Sequence, residues 1–400
     1  MQKFTGREYL KIDIANNFGL DKKTWIERLD WFEEHENHLM EMMSQAEEPA
    51  LFYAGVKAYK DALDGKPIGY PISLDATSSG LQILAALTCD RLAAELCNVV
   101  NQPGDVRADA YTIVYETMCS KVGENAKIKR EDTKRAIMTS LYGSQAVPKE
   151  VFGEGEMLAC FLQTMGELAP AAWDLNETFL DIWDDAALSN DWVLPDNFNV
   201  HVKVMTLATE TVNFLHEPFE FHRKINAPVK EGRSLSANVT HSIDGMIVRE
   251  MTRRCDYDPM VVNRVIKLLE GEGDTEIFTE DNKMVYKLWT NYQESGYLSA
   301  RILDHLNSAN IGMVDADQIR LLIGSLPEKP FKLMTIHDCF RCLPQYGNDL
   351  REQYNIQLWS IAKSNLLGFI LGQLLHRPVQ IGKMDPGMIK EILNADYALS

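Results

Sequence analysis

The sequence predicts a mostly helical α+β protein, and three observations carry the prediction. Apolar residues such as Trp25, Leu29 and Phe32 recur at spacings of three and four, which keep side chains on one helix face. Two short apolar runs, at 71–74 and 331–336, end in polar turn residues and read as buried strands. The stretch VHVKVMTLATETVNF at 200–214 alternates apolar with polar residues, as strands do. With 400 residues the chain exceeds one simple core, so two or three subdomains are expected.

Bulk properties narrow the class. The composition, 46% hydrophobic and 24% charged, is that of a folded soluble protein. The opening MQKFTGREYLKIDIANN holds no apolar run or cleavage signal, so no export is expected. The late apolar stretch 361–375 is interrupted by Lys363, Ser364, Asn365 and Gln373. It is too short and polar to span a bilayer and reads as one buried helix, so no membrane contact is expected. Seven scattered cysteines, an odd count, suit a reduced intracellular protein. Cys339 and Cys342 form a C-x-x-C without a second pair at zinc-finger spacing. The net charge of −18 counts against coating long stretches of nucleic acid by bulk attraction. It leaves room for a local basic cleft and for a basic partner chain.

In chain order, residues 1–65 read as acidic helices, closed by a turn at Gly65, Pro67 and Gly69. The strand at 71–74 follows, with Asp75 at its end, a turn through Thr77, Ser78 and Ser79, and a helix from Gly80. Alone, Asp75 would pass as a helix N-cap. Residues 103–127 read as helical with Tyr111 and Tyr115 on one face, and 159–187 as helices broken at Pro170. HEPFEFHRKINAPV returns against 200–214 as a hairpin carrying Lys203, His222, Arg223, Lys224, Lys230 and Arg233. This is either an ordinary solvated hairpin or a ribbon that touches nucleic acid. His241, Ser242 and Asp244 are expected at a turn into a helix. Residues 255–330 read as acidic and helix-rich, with a loop at 271–283 and no assignable motif. In FKLMTIHDCFRCLP, His337 and Asp338 sit at a hairpin tip, before the final apolar helix.

The stretch IKREDTKRAIMTSLYGS at 128–144 reads as a helix started by Asp132 or Thr133 and ended by Gly143. Arg130, Lys134, Met138 and Tyr142 recur every fourth residue, so each lies about 40° from the last on one side. Two cations, a thioether and a phenol suit a nucleotide, with phosphates on the cations and the base and sugar by the ring. The plainer reading is an amphipathic helix whose basic end lies over a core. Asp75 and Asp338, each at a strand end, supply the carboxylates a nucleotide site needs. Two such acids can hold two magnesium ions about 3.5–4 Å apart. There is no Walker A or dinucleotide glycine motif to hold phosphates instead.

In these residues the chain resembles the catalytic half of the single-subunit RNA polymerases of phages and mitochondria. DATSSG is similar to their first palm motif, and RxxxKRxxMTxxYGS at 130–144 to their fingers helix. HSIDG at 241–245, HDC at 337–339 and the ending ILNADYALS are similar to further family motifs, with Cys339 where the best-known members have Ser. The resemblance implies a right-hand fold. The small antiparallel sheet would be the palm, in parts at 1–103 and 242–400, with helical fingers at 104–241. It implies Asp75, Asp338 and the Ala76 carbonyl as ligands of two Mg2+ ions. Lys134 and Tyr142 would join the acids in catalysis, and Arg130, Lys134, Arg135, Met138, Tyr142, Gly143 and His241 would bind the nucleotide. The ribbon near 200–233 would stand where the family has its promoter-reading hairpin.

The implied activity is DNA-directed RNA synthesis from ribonucleoside triphosphates on a DNA template. In related DNA polymerases, the residue five after the first Asp is a Glu that blocks a 2′-hydroxyl. Gly80 stands there, and the space it leaves favours an RNA product. A DNA polymerase of the same architecture and a non-catalytic nucleic-acid-binding scaffold are the alternatives. Gly80 speaks against the first, and the intact Asp75, Lys134, Tyr142 and Asp338 against the second. Family members are roughly twice as long. The thumb, the amino-terminal domain and an upstream D-x-R-G-R segment have no counterpart in this sequence, and 255–330 is additional. This likens the chain to the larger subunit of a heterodimeric phage RNA polymerase in the cytoplasm of an infected bacterium. Its expected partners are a companion subunit carrying the missing parts and an accessory single-stranded-DNA-binding protein.

Overall fold

The computed structural model describes residues 1–400 except 124–127, 231, 233 and 273–278, so the expected basic position at Arg233 lies outside the described residues. Helices α1 (Gly6–Ala15), α2 (Trp25–His35) and α3 (Pro49–Leu63) open the chain. Thr5 with Glu8, and Thr24 with Glu27, form capping boxes at α1 and α2, each cap stabilising its helix by about 1 kcal/mol. Trp25 and Phe32 are fully buried, as their spacing predicts.

Strand β1 (Ile72–Asp75) leads into α4 (Ser79–Thr88), α5 (Arg91–Leu96) and α6 (Ala110–Val122). Then come α7 (Arg130–Ser140), α8 (Ala146–Phe152), α9 (Glu156–Leu168) and α10 (Pro170–Asp181). α7 lies earlier in the chain than expected. It starts at Arg130 after Lys129, so Asp132 lies inside the first turn, where its charge favours the helix dipole, and does not cap it. It ends before Tyr142, and Gly143 closes the turn at φ +80°. The break at Pro170 falls where expected.

The strand-rich stretch is two hairpins, not one. β2 (Ser189–Val193) pairs β3 (Asn199–Lys203), and β4 (Met205–Phe214) pairs β5 (Glu217–Asn226). Asn226 stitches the junction by donating to the carbonyls of Leu188 and Val204. Alternation alone could not reveal this break, because the period runs through Val204.

α11 (Ser234–Cys255) overturns the expected turn at His241, Ser242 and Asp244. Leu235, Val239, Ile243, Met246 and Met251 form a buried stripe at helical spacing, and their burial carries the helix through Gly245. α12 (Pro259–Leu269), α13 (Thr279–Ser295), α14 (Ile302–His305) and α15 (Ala316–Gly324) then gather a separate small core around Val265, Val285, Ile302 and Ile319. This section leaves and rejoins the main body at one place, since the Phe331 N–H donates to the Cys255 carbonyl at 2.7 Å.

β6 (Met334–Ile336) and β7 (Cys339–Cys342) complete a three-stranded antiparallel sheet of order β1-β7-β6. α16 (Gly347–Lys363) and α17 (Leu366–Leu374) follow. The late apolar run is thus split between two helices. The Ser364 hydroxyl accepts from the Leu366 N–H, and the Asn365 N–H donates to Ser295 instead of continuing the helix. No described helix is long and apolar enough to cross a membrane.

Candidate active site

β1 and β7 align so that Asp75 stands opposite Cys339, which puts Asp338 of the β6–β7 turn beside the end of β1. The Ala76 N–H donates to the Asp338 carbonyl oxygen at 3.2 Å and locks the two strand ends together. His337 takes the left-handed φ of +55° that lets the chain reverse in two residues. The two acids, 263 positions apart by number (338 − 75), therefore share one mouth.

The far edge of β1 is braced. Buried Asp13 accepts from the Ser73 N–H at 2.8 Å and from the Tyr70 hydroxyl at 2.7 Å. The tail pairs alongside: Asp75 N–H donates to the Ser400 carbonyl oxygen, and Ala76 bridges Leu399. Fully buried Gln82 of α4 donates to Thr77, Cys97 and Ala398 and accepts from the Tyr354 hydroxyl. One amide thus ties the loop after Asp75 to the tail and to α16. Tyr397 stacks on Trp25 at 5.2 Å, which anchors the tail.

The mouth concentrates acidic groups. Burial, then the nearby Asp338 carboxylate, push Asp75 above the usual range, against a hydrogen bond from the Cys339 thiol. Cys339 is itself pushed up to about 12 by burial and by Asp75. Asp244, inside α11, is raised to about 6 by burial and by Asp338. Among the described residues no three His, Cys, Asp or Glu side chains converge tightly enough to form a metal cage. Two oxygen donors that repel one another are nonetheless what Mg2+ takes, since it is held by one or two carboxylates together with substrate phosphates and water.

α7 faces this mouth. Lys134 lies over the Tyr111 ring, 5.6 Å from its centroid, and has no carboxylate partner among the described residues. The Tyr111 hydroxyl is 3.4 Å from the Ser78 hydroxyl in the loop after Asp75. Tyr142 stacks on His241 with centroids 4.5 Å apart and planes within 13°. Burial, then the Asp244 charge, push the Tyr142 phenol up to about 12.

Arg130, Arg135 and Met138 stand differently. Arg130 is engaged by Asp109 at 2.5 Å and by Thr112 at 2.7 Å, both in the first turn region of α6. Arg135 pairs with Glu150 at 2.8 Å across to α8, away from the Lys134 face. Met138 is exposed. Three residues join the site that the sequence reading gave no role: Tyr111, Asp109 and Asp244. The i, i+3 spacing of His241 and Asp244 was the available signal, once the segment is known to be helical.

Comparison with known proteins finds polymerases. A profile of the DNA-dependent RNA polymerase family matches residues 3–152. A Neurospora crassa protein named "Probable DNA-directed RNA polymerase" is 34% identical over 160 residues, 35% of this chain and 18% of that protein. The DNA-directed RNA polymerase of Pseudomonas phage phiKMV is 22% identical over 302 residues, 60% of this chain and 37% of its own length. A Gelasinospora protein, also named as a probable DNA-directed RNA polymerase, is 22% identical over 359 residues, 85% of this chain and 40% of its own. The chain therefore spans two fifths or less of these relatives. Residues 3–152 thus match the DNA-dependent RNA polymerase family, and the chain is similar to polymerases of that name from phages and mitochondria.

Proposed function

We propose that this chain carries the catalytic centre of a DNA-directed RNA polymerase and adds ribonucleotides to an RNA 3′ end on a DNA template. The observation that carries the reading is the meeting of Asp75 and Asp338 at one sheet end, opposite Lys134 and Tyr142. Asp75, Asp338 and the Ala76 carbonyl would hold two Mg2+ ions. When bound, such a pair lowers the pKa of the 3′-hydroxyl and neutralises the leaving pyrophosphate.

The chain's own residues do the rest. Lys134, without a carboxylate partner among the described residues, holds the triphosphate, while Arg130 positions α7 by gripping Asp109. The Tyr142–His241 stack forms a flat wall for the nascent base pair and its sugar. With a pKa near 12, the Tyr142 phenol stays protonated at neutral pH and can donate to a ribose hydroxyl. In this reading the palm is 1–103 with 242–400, the fingers are 104–241, and 255–330 is an insertion in the palm.

The setting we propose is phage transcription in the cytoplasm of an infected bacterium. A companion polypeptide contributes the remaining parts of the enzyme, and a single-stranded-DNA-binding protein assists loading. The acidic charge of −18 suits a basic companion.

Primed RNA–DNA scaffold extension tests the reading. The chain with its companion is expected to add ribonucleotides only with Mg2+, and Asp338→Asn to abolish addition while scaffold binding persists. Undiminished addition by Asp338→Asn would sink the assignment, and full activity of the lone chain would remove the companion.

A further inference from the structure

Beneath the turn that follows α7 lies a cavity of about 290 Å³ whose walls include neither Asp75 nor Asp338. Its walls come from four helices, α7 to α10, and include Ser140, Gly143, Leu158, Leu162, Trp173 and Asn176. The walls are chiefly aliphatic and aromatic, and two polar groups within them lack partners. The Ser140 hydroxyl and the Asn176 side-chain nitrogen are both buried without a hydrogen bond. Ser140 is 4% and Asn176 7% exposed, so both are more than nine-tenths buried.

One hydrogen bond tells the two ends of the Asn176 amide apart. Ser236 donates to its oxygen at 2.6 Å, which leaves the nitrogen as a donor with nothing to receive its protons. A buried unsatisfied donor costs about 1–3 kcal/mol, so two such groups in one cavity wall call for an occupant that answers them. The volume sits at the small end of ligand sites, about 300–1,000 Å³. That is room for a bicyclic ring and not for a nucleotide with its phosphates.

Charge at the rim points the same way. Lys149 there is paired with Glu154 at 3.5 Å, and Glu177 lies on the rim as well, so a phosphate would meet no free cation. We propose that this cavity binds a neutral, flat bicyclic heterocycle. One face lies against Trp173, and a carbonyl or ring-nitrogen acceptor is turned to Asn176 and Ser140. Small rotations of those two side chains bring their polar atoms to the ligand edge. Bound there, the ring braces the turn that presents Tyr142 from behind. The proposal concerns binding alone and stands apart from the polymerase reading.

The probe is free 2-aminopurine, neutral, bicyclic, fluorescent and rich in ring-nitrogen acceptors. Titrated with the full chain, its fluorescence is expected to be quenched saturably beside Trp173. Leu162→Trp adds an indole at a side chain already 44% exposed on the cavity wall, and should abolish the quenching without loss of Tm. Asn176→Leu should weaken binding about tenfold, the loss of one hydrogen bond. No saturable quenching at millimolar probe would mean that water alone fills the cavity, and would overturn the proposal. Equal binding by wild type and Leu162→Trp would overturn it too, and that arm holds even if Asn176→Leu fails to fold.

Discussion

The Tyr142 hydroxyl lies 2.8 Å from the point where a β-carbon on Gly80 would stand, and the ring carbon behind it lies at 3.1 Å. The absent side chain of Gly80 was expected to leave room for a ribose hydroxyl. That room is already filled by the phenol, so Gly80 acts by letting Tyr142 approach the loop after Asp75. Gly80→Ala should push the hydroxyl away. Within a helix, Gly→Ala ordinarily adds about 0.5–1 kcal/mol of stability, so Tm should not fall. Selectivity for ribo- over deoxynucleotides should drop roughly tenfold, about 1.4 kcal/mol. Competition between the two triphosphates in scaffold extension measures this, and unchanged selectivity would refute the role assigned to the contact.

Tyr142→Phe separates the ring from its hydroxyl. The stack on His241 needs only the ring, so extension with ribonucleotides should persist. Deoxynucleotides should be admitted, because the donor to the ribose is gone. A variant as strict as wild type would show that the hydroxyl selects nothing.

Lys134 and Arg130 sit one turn apart on α7 and should behave differently. Lys134 faces the Tyr111 ring with no acidic partner among the described residues, so Lys134→Ala should cut kcat/KM for the triphosphate about 100-fold with little change in Tm. Arg130 is bound to Asp109 and Thr112, so Arg130→Ala should lower Tm and affect KM less. Steady-state kinetics alongside thermal melting distinguishes them, and the reverse pattern would reassign the phosphate contact.

The sequence made the two carboxylates legible because each ends an apolar run, and a strand end is a local property. The mostly helical class, the break at Pro170 and the β6–β7 tip were local in the same sense. What stayed hidden depends on distant partners. Asp109 pairs with Arg130 and Glu150 with Arg135, and neither pairing leaves a periodic trace. HSIDG resembles a turn because it holds Ser, Asp and Gly, yet burial of Ile243 within it and of Val239 and Met246 on either side makes it helix. The apolar run at 361–375 hid its own break, because Asn365 turns its N–H to Ser295, far away in sequence.

Asp13 predicts a pH dependence of folding. Burial raises its pKa to about 6, against hydrogen bonds from Ser73, Tyr70 and Asn17 and the nearby Arg341. An unfolded aspartate releases its proton near pH 4, so between about pH 4 and 6 the unfolded chain binds fewer protons than the folded one. This group's contribution to stability therefore falls as pH rises through that window, by at most about 3 kcal/mol. Asp13→Asn has no such slope. The difference in urea midpoint between variant and wild type should shift in the variant's favour from pH 4 to pH 6, and a constant difference would contradict the raised pKa.

The β4–β5 ribbon predicts a separation of initiation from extension. Residues directly opposite share a face, so Val212, Phe214, Phe219, Phe221 and Ile225 lie together on one side, and all but Ile225 are well exposed. None of them belongs to either buried core, so replacing 209–222 by a short Gly-containing turn should leave Tm unchanged within about 2 °C. The site at Asp75 and Asp338 does not draw on the ribbon, so extension of a primed scaffold should stay within about twofold. Initiation on an unprimed template should fall at least tenfold if the ribbon engages the template, as its place in the chain suggests. The comparison is made with one preparation on both templates. Equal loss on the two would make the ribbon a structural element, and no loss on either would free it from any part in template binding.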